Sequence, residues 1–124
     1  MIIERPIDIE DVVRLALADH LTAYCRPLPK DYSLPCILVS KVGGSGRDKI
    51  DTFEVTLDSR ARTEYDADLT LRNAIGILKA VEGTAIRYVT VNSSGSWGSD
   101  PVRPDLAMCS ARLRIVAHVE RATI

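Results

Sequence analysis

The stretch AMCSARLRIVAHVE, residues 107–120, decides the fold. Side chains of a β-strand point alternately to its two faces. The odd positions here are Ala107, Cys109, Ala111, Leu113, Ile115, Ala117 and Val119, all apolar. The even positions are mostly polar: Ser110, Arg112, Arg114, His118 and Glu120. A slip of one residue would drive both arginines into the core, so one face is fixed as buried and the other as polar. The run exceeds the usual strand of about five or six residues. It therefore either bends or projects its end to pair with a neighbouring subunit.

Working outward, residues 92–105 read NSSGSWGSDPVRPD, small, polar and rich in breakers. This composition predicts a long loop. It carries the only tryptophan, Trp97. Two readings of Trp97 stand: it folds back onto its own domain, or it packs onto a second subunit or another protein, as large aromatic anchors do. Before the loop, residues 84–91 read as a strand. Residues 50–59 alternate, with Phe53, Val55 and Leu57 opposite Thr52, Glu54, Thr56 and Asp58, which predicts a half-buried antiparallel strand. Residues 36–42, CILVSKV, are apolar on both faces and read as a central strand, with GGSGRDK (43–49) as a hairpin tip.

Two helices complete the pattern. Asp8 with Asp11 forms a capping pair, and Ile9, Val12, Val13, Ala16, Leu17, Leu21 and Tyr24 follow at helical spacing until Pro27, Pro29 and Pro35 forbid it. Thr63 with Asp66 caps a second helix bearing Ala67, Leu71, Ala74, Ile75, Leu78 and Val81, with Gly83 as its stop and Asp68, Arg72, Lys79 and Glu82 on a wet side. The expected fold is α+β in the order helix, β-hairpin, helix, β-hairpin. It is one domain over residues 1–124, with an antiparallel-rich sheet of about four strands and two helices on one face. Such a sheet has edges that invite pairing with another chain unless blocked.

Composition narrows the function. The 124 residues are 46% hydrophobic and 27% charged with a net charge of -1, which fits a globular domain without the basic excess of a free-standing nucleic-acid binder. No apolar run approaches membrane-spanning length. The start, MIIERPIDIED, lacks the basic and apolar regions of a signal peptide, which predicts cytosolic synthesis. Three cysteines, Cys25, Cys36 and Cys109, give no disulfide framework.

No catalytic set assembles from the residues. Cys109 and His118 fall on opposite faces of one strand and so cannot form a dyad within a subunit. His20 lies near an apolar helix stripe and reads as a half-buried histidine. A His20–Cys25 metal pair lacks two further ligands. GGSGRDK is followed by a strand, so it has no helix end to hold a phosphate. Glu64, Asp66 and Asp68 sit at a helix start, where acids collect for dipole reasons. No cofactor or metal is expected, and the chain does not read as an enzyme. A small enzyme with a site between subunits, using His20, His118 or Cys25, is the weaker alternative. Arg47 and Lys49 at the hairpin tip could touch DNA or an acidic partner. Arg112 and Arg114 are either solvated or, in an oligomer, line a pore or meet acids of the neighbouring subunit.

The ordered features resemble the tail terminator, or tail-completion, proteins of long-tailed phages. The likeness is carried by SLPCILVSKVGG, by DTFEVTLDS, by TEYDADLTLRNAIGILKAVEG and by GSWGSDPVRPD before SARLRIVAHV. It implies a homo-oligomeric ring, typically hexameric, assembled in the bacterial host cytoplasm and resident in the virion tail. Such a ring caps the tail tube protein, stops polymerisation, and presents a surface to the head connector protein, with DNA passing through its lumen without specific binding. The candidate partner or subunit contacts, chosen by residue type and placement, are Trp97, Arg47, Lys49, Arg112 and Arg114. Another head–tail neck component that contacts DNA is the alternative within the same setting.

Overall fold

A computed structural model describes residues 1–47 and 50–124. The element order is β1 (Ile2–Arg5), α1 (Ile9–Ala18), β2 (Ala23–Cys25), β3 (Cys36–Arg47), β4 (Ile50–Ala61), α2 (Glu64–Ala80), β5 (Ile86–Ser99), β6 (Ala107–His118) and β7 (Glu120–Thr123). The fold is α+β with two helices and a mostly antiparallel sheet. Among the described residues there are seven strands in two sheets, not about four in one. The larger sheet has the order β2-β3-β4-β6-β5, and β1 and β7 pair only with each other.

The extra strands have simple causes. The alternating run of residues 107–120 does bend: β6 stops at His118, and the chain resumes as β7 to pair with β1, Ile3 opposite Ala122. The first helix ends at Ala18, so Tyr24 belongs to β2, which lies parallel to β3 with Tyr24 opposite Leu38. The stretch 92–99 is not a loop. It continues β5, because β6 supplies a long partner edge, with Trp97 opposite Cys109 and Ser99 opposite Ala107. A register shift between Ser94 and Ser96 brackets Gly95, whose φ of 80° suits a residue without Cβ. Likewise β3 runs on through the glycines to Arg47, leaving only Asp48 and Lys49 of the expected hairpin tip outside the described residues.

Both predicted caps form. The Asp8 side chain accepts from the Asp11 amide, and the Thr63 hydroxyl accepts from the Asp66 amide at 3.1 Å. Beyond α2, Gly83 takes a φ of 95°. The core lies between the helices and one sheet face. Val13 and Leu17 of α1, and Leu71, Ala74 and Leu78 of α2, pack with Ile37, Val39, Val55, Leu57, Leu113 and Ile115. The opposite face carries Thr52, Glu54, Thr56 and Asp58 of β4 and Arg112 and Arg114 of β6, as the alternation requires.

Candidate functional site

The β5–β6 arm and its connection carry two exposed apolar side chains, Trp97 and Val102. Residues directly opposite on neighbouring strands share a face. Trp97 pairs with the buried Cys109, so it projects on the helix side. There it lines a shallow depression with Arg62, Glu64 and Pro104, beside the start of α2. It remains 50% exposed, and Val102 just beyond it is 86% exposed. The chain thus folds the ring partly back on itself and leaves half of it bare. Of the two readings of Trp97, folding back onto its own domain is met in part.

A buried polar cluster anchors this arm. Arg60, at the end of β4, sits opposite Cys36 on the face away from the helices. Its Nε donates to Asp100 Oδ2 at 2.8 Å, and both residues are more than nine-tenths buried. The Tyr32 hydroxyl donates to the same oxygen at 3.1 Å. The amides of Val102 and Arg103 donate to Asp100 Oδ1 at 2.9 and 3.1 Å, an Asx turn that shapes the approach to β6. Burial would raise the Asp100 pKa, but these donors, Arg60 first among them, hold it down at about 2. Burial pushes the neighbouring Cys36 thiol up to about 11, so it is no nucleophile at neutral pH. Segments 26–35 and 100–106 therefore meet over the Cys36 end of the sheet, leaving the rest of that face open.

On the open face Glu54 accepts from Arg114 Nε at 3.2 Å and from Asn92 Nδ2 at 3.0 Å, and the Ser110 hydroxyl donates to Asp58. Arg112 is exposed and makes no ion pair among the described residues. Arg112 and Arg114 share this face, as their spacing requires. They lie on the opposite face from Trp97. Arg47 closes β3, and Lys49 lies outside the described residues. Trp97 and the pair Arg112 and Arg114 thus do not form one patch.

The residues weighed for chemistry are dispersed. His20 lines a groove of about 850 Å³ with Thr22, Pro35, Asn73 and Ile77, between α2 and the segments flanking β2. His118 lines a different depression with Arg87 and Tyr88. Burial raises the Cys25 thiol despite the nearby Arg14. Among the described residues no group of three histidine, cysteine or acidic side chains could hold a metal ion, and no helix is long and apolar enough to cross a membrane. The buried Arg60–Asp100 pair carried no sequence signal, because its members are 40 residues apart and each sits in an unremarkable polar context. Comparison with protein-family models and with curated proteins returns no match for this chain.

Proposed function

We propose that this protein is a structural tail terminator of a long-tailed phage. Copies of the chain form a ring, of hexameric type, that caps the tail tube, stops its polymerisation and joins it to the head connector. The role is one of assembly without catalysis, and DNA passes through the lumen. The proposal draws on the motif likeness of the sequence. One structural observation supports its assembling half: from 92 to 99, β5 is an edge strand of eight consecutive exposed residues with no charge, bearing a half-bare tryptophan. Monomeric proteins blunt such edges with lysine, proline or a covering element, and half-buried tryptophans are preferred anchors of protein contacts.

Light scattering on the purified chain and electron microscopy of tail tubes grown with and without it test this. The expected result is a multi-chain ring and tubes of defined length in its presence. Trp97→Ala should weaken assembly or tube docking at least tenfold while leaving the circular dichroism spectrum unchanged. A chain that stays single at high concentration and leaves tube length unregulated would remove the proposal. An intact ring with normal capping in Trp97→Ala would remove Trp97 from it.

A second reading, a neck component that grips DNA, is favoured by one observation, the exposed Arg112 on the open face, which has no ion pair among the described residues. It requires DNA affinity that falls steeply with salt and that Arg112→Ala weakens while lowering the salt slope by about one.

A further inference from the structure

The five-stranded sheet has two edges, and each is capped over only part of its length. On the β3 side, β2 covers residues 37–39. Lys41 follows: its amide donates to Glu10 Oε2 at 2.8 Å, and its carbonyl accepts from Arg26 Nη2 at 3.0 Å. On the β5 side, the Ile86 carbonyl accepts from the Gly83 amide at 3.0 Å, and the Val89 carbonyl accepts from Lys79 Nζ at 2.8 Å. These contacts occupy backbone groups that would otherwise recruit another strand.

Two runs remain uncapped. One is 92–99 of β5, NSSGSWGS. The other is 42–45 of β3, VGGS. Among the described residues no hydrogen bond reaches the outward backbone groups of either. Neither run contains a charge or a proline, the usual guards of an edge. Small side chains allow close backbone approach in both, and each carries one large exposed apolar group, Trp97 and Val42. The runs sit at diagonally opposite corners. Ser99 lies level with Ala107 and Ala61 at the Cys36 end, whereas the far end of β3 pairs with the start of β4, whose Ile50 lies opposite His118.

We infer that these two edges are the two halves of one contact, and that the occupant of each is a second copy of this chain. Every strand from β3 to β5 is antiparallel to its neighbour, so β3 and β5 run in opposite directions. A second copy in the same orientation therefore sets its β3 antiparallel to the first copy's β5, continuing the ladder across the boundary. A foreign strand would satisfy one edge and leave the other bare. A head-to-tail contact between copies satisfies both, and it is the heterologous kind of interface that closes rings. Because the runs are diagonal, neighbours pair with an offset of about four to five residues, ~15 Å at about 3.3 Å per residue. The inference rests on the self-assembly part of the proposed function and not on the phage assignment.

Cross-linking tests it in a Cys25→Ser background, where the remaining native cysteines, Cys36 and Cys109, are buried. Ser45→Cys is combined in turn with Ser93→Cys, Ser94→Cys or Ser96→Cys. Mild oxidation of at least one double variant should give a disulfide-linked ladder in multiples of 13.6 kDa. Each single variant should stay one chain on a denaturing gel. Ser94→Lys with Ser96→Lys should reduce the native mass to that of a single chain. A multi-chain wild type that yields no cross-link and survives the lysine pair overturns the edge contact while leaving self-assembly standing. Cross-linking by a single variant alone overturns the head-to-tail geometry. A single-chain wild type at high concentration overturns both this inference and the ring.

Discussion

Arg60→Ala should lower the unfolding free energy by about 3–5 kcal/mol, the loss expected when one member of a buried ion pair is removed and the other is left charged without its partner. Asp100 would keep the donors at Val102, Arg103 and Tyr32, but it would sit 4% exposed without a countercharge. Urea unfolding followed by circular dichroism measures this. The pair is not thereby a net source of stability. Arg60 Nη1 is buried with no hydrogen-bond partner among the described residues, an added cost of keeping an arginine there. Arg60→Met with Asp100→Asn should therefore recover more than half of the loss, since Asn keeps an acceptor for the two amides. A loss below about 1 kcal/mol in Arg60→Ala would show that the cluster is open to water.

The same pair sets a pH dependence. Asp100 titrates at about 2 in the folded chain, against an ordinary value of 3.8. The unfolded state thus binds the proton more readily, so stability from this group is fully present above about pH 4 and is lost as pH falls from 3.8 towards 2. Arg60→Ala should flatten that part of the stability profile. An unchanged acid limb would mean that other carboxylates carry it.

Leu113→Ala should cost about 2–5 kcal/mol. Leu113 is fully buried in β6, between Val55 of β4 and Val91 of β5, where the sheet meets α2. The truncated methyl groups leave a void that the two β-branched, strand-bound neighbours, Val55 and Val91, cannot collapse into. With about 5–15 kcal/mol available to a domain of this size, the variant should unfold at markedly lower urea with an unchanged slope. A shift under about 1 kcal/mol would indicate a loosely packed layer.

Legibility in the sequence followed the range of the forces. The alternations of β4 and β6 and the caps at Asp8 and Thr63 are local, and each appears where the residues place it. Strands β1, β2 and β7 are three or four residues long, too short to show a period, and exist because a partner lies alongside. The arm at 92–99 has almost no intrinsic strand preference and is held extended by β6, a tertiary contact overriding composition. The Arg60–Asp100–Tyr32 cluster joins three distant segments, so no window of sequence contains it. Trp97 stood out by residue type alone, but its face and its half-exposure came from its register opposite Cys109.

The pairing of β1 with β7 has a mechanical corollary. Ile2 lies opposite Thr123, and Met1 and Ile124 are bonded to one another, so traction applied at those two points would break the rungs one after another, like a zip. The ladder between β4 and β6 has twelve paired positions from Ile50 to Ala61, and tension along its strands would load them together. A stretched molecule should therefore yield first at this small clip, at low force, while the main sheet keeps its shape.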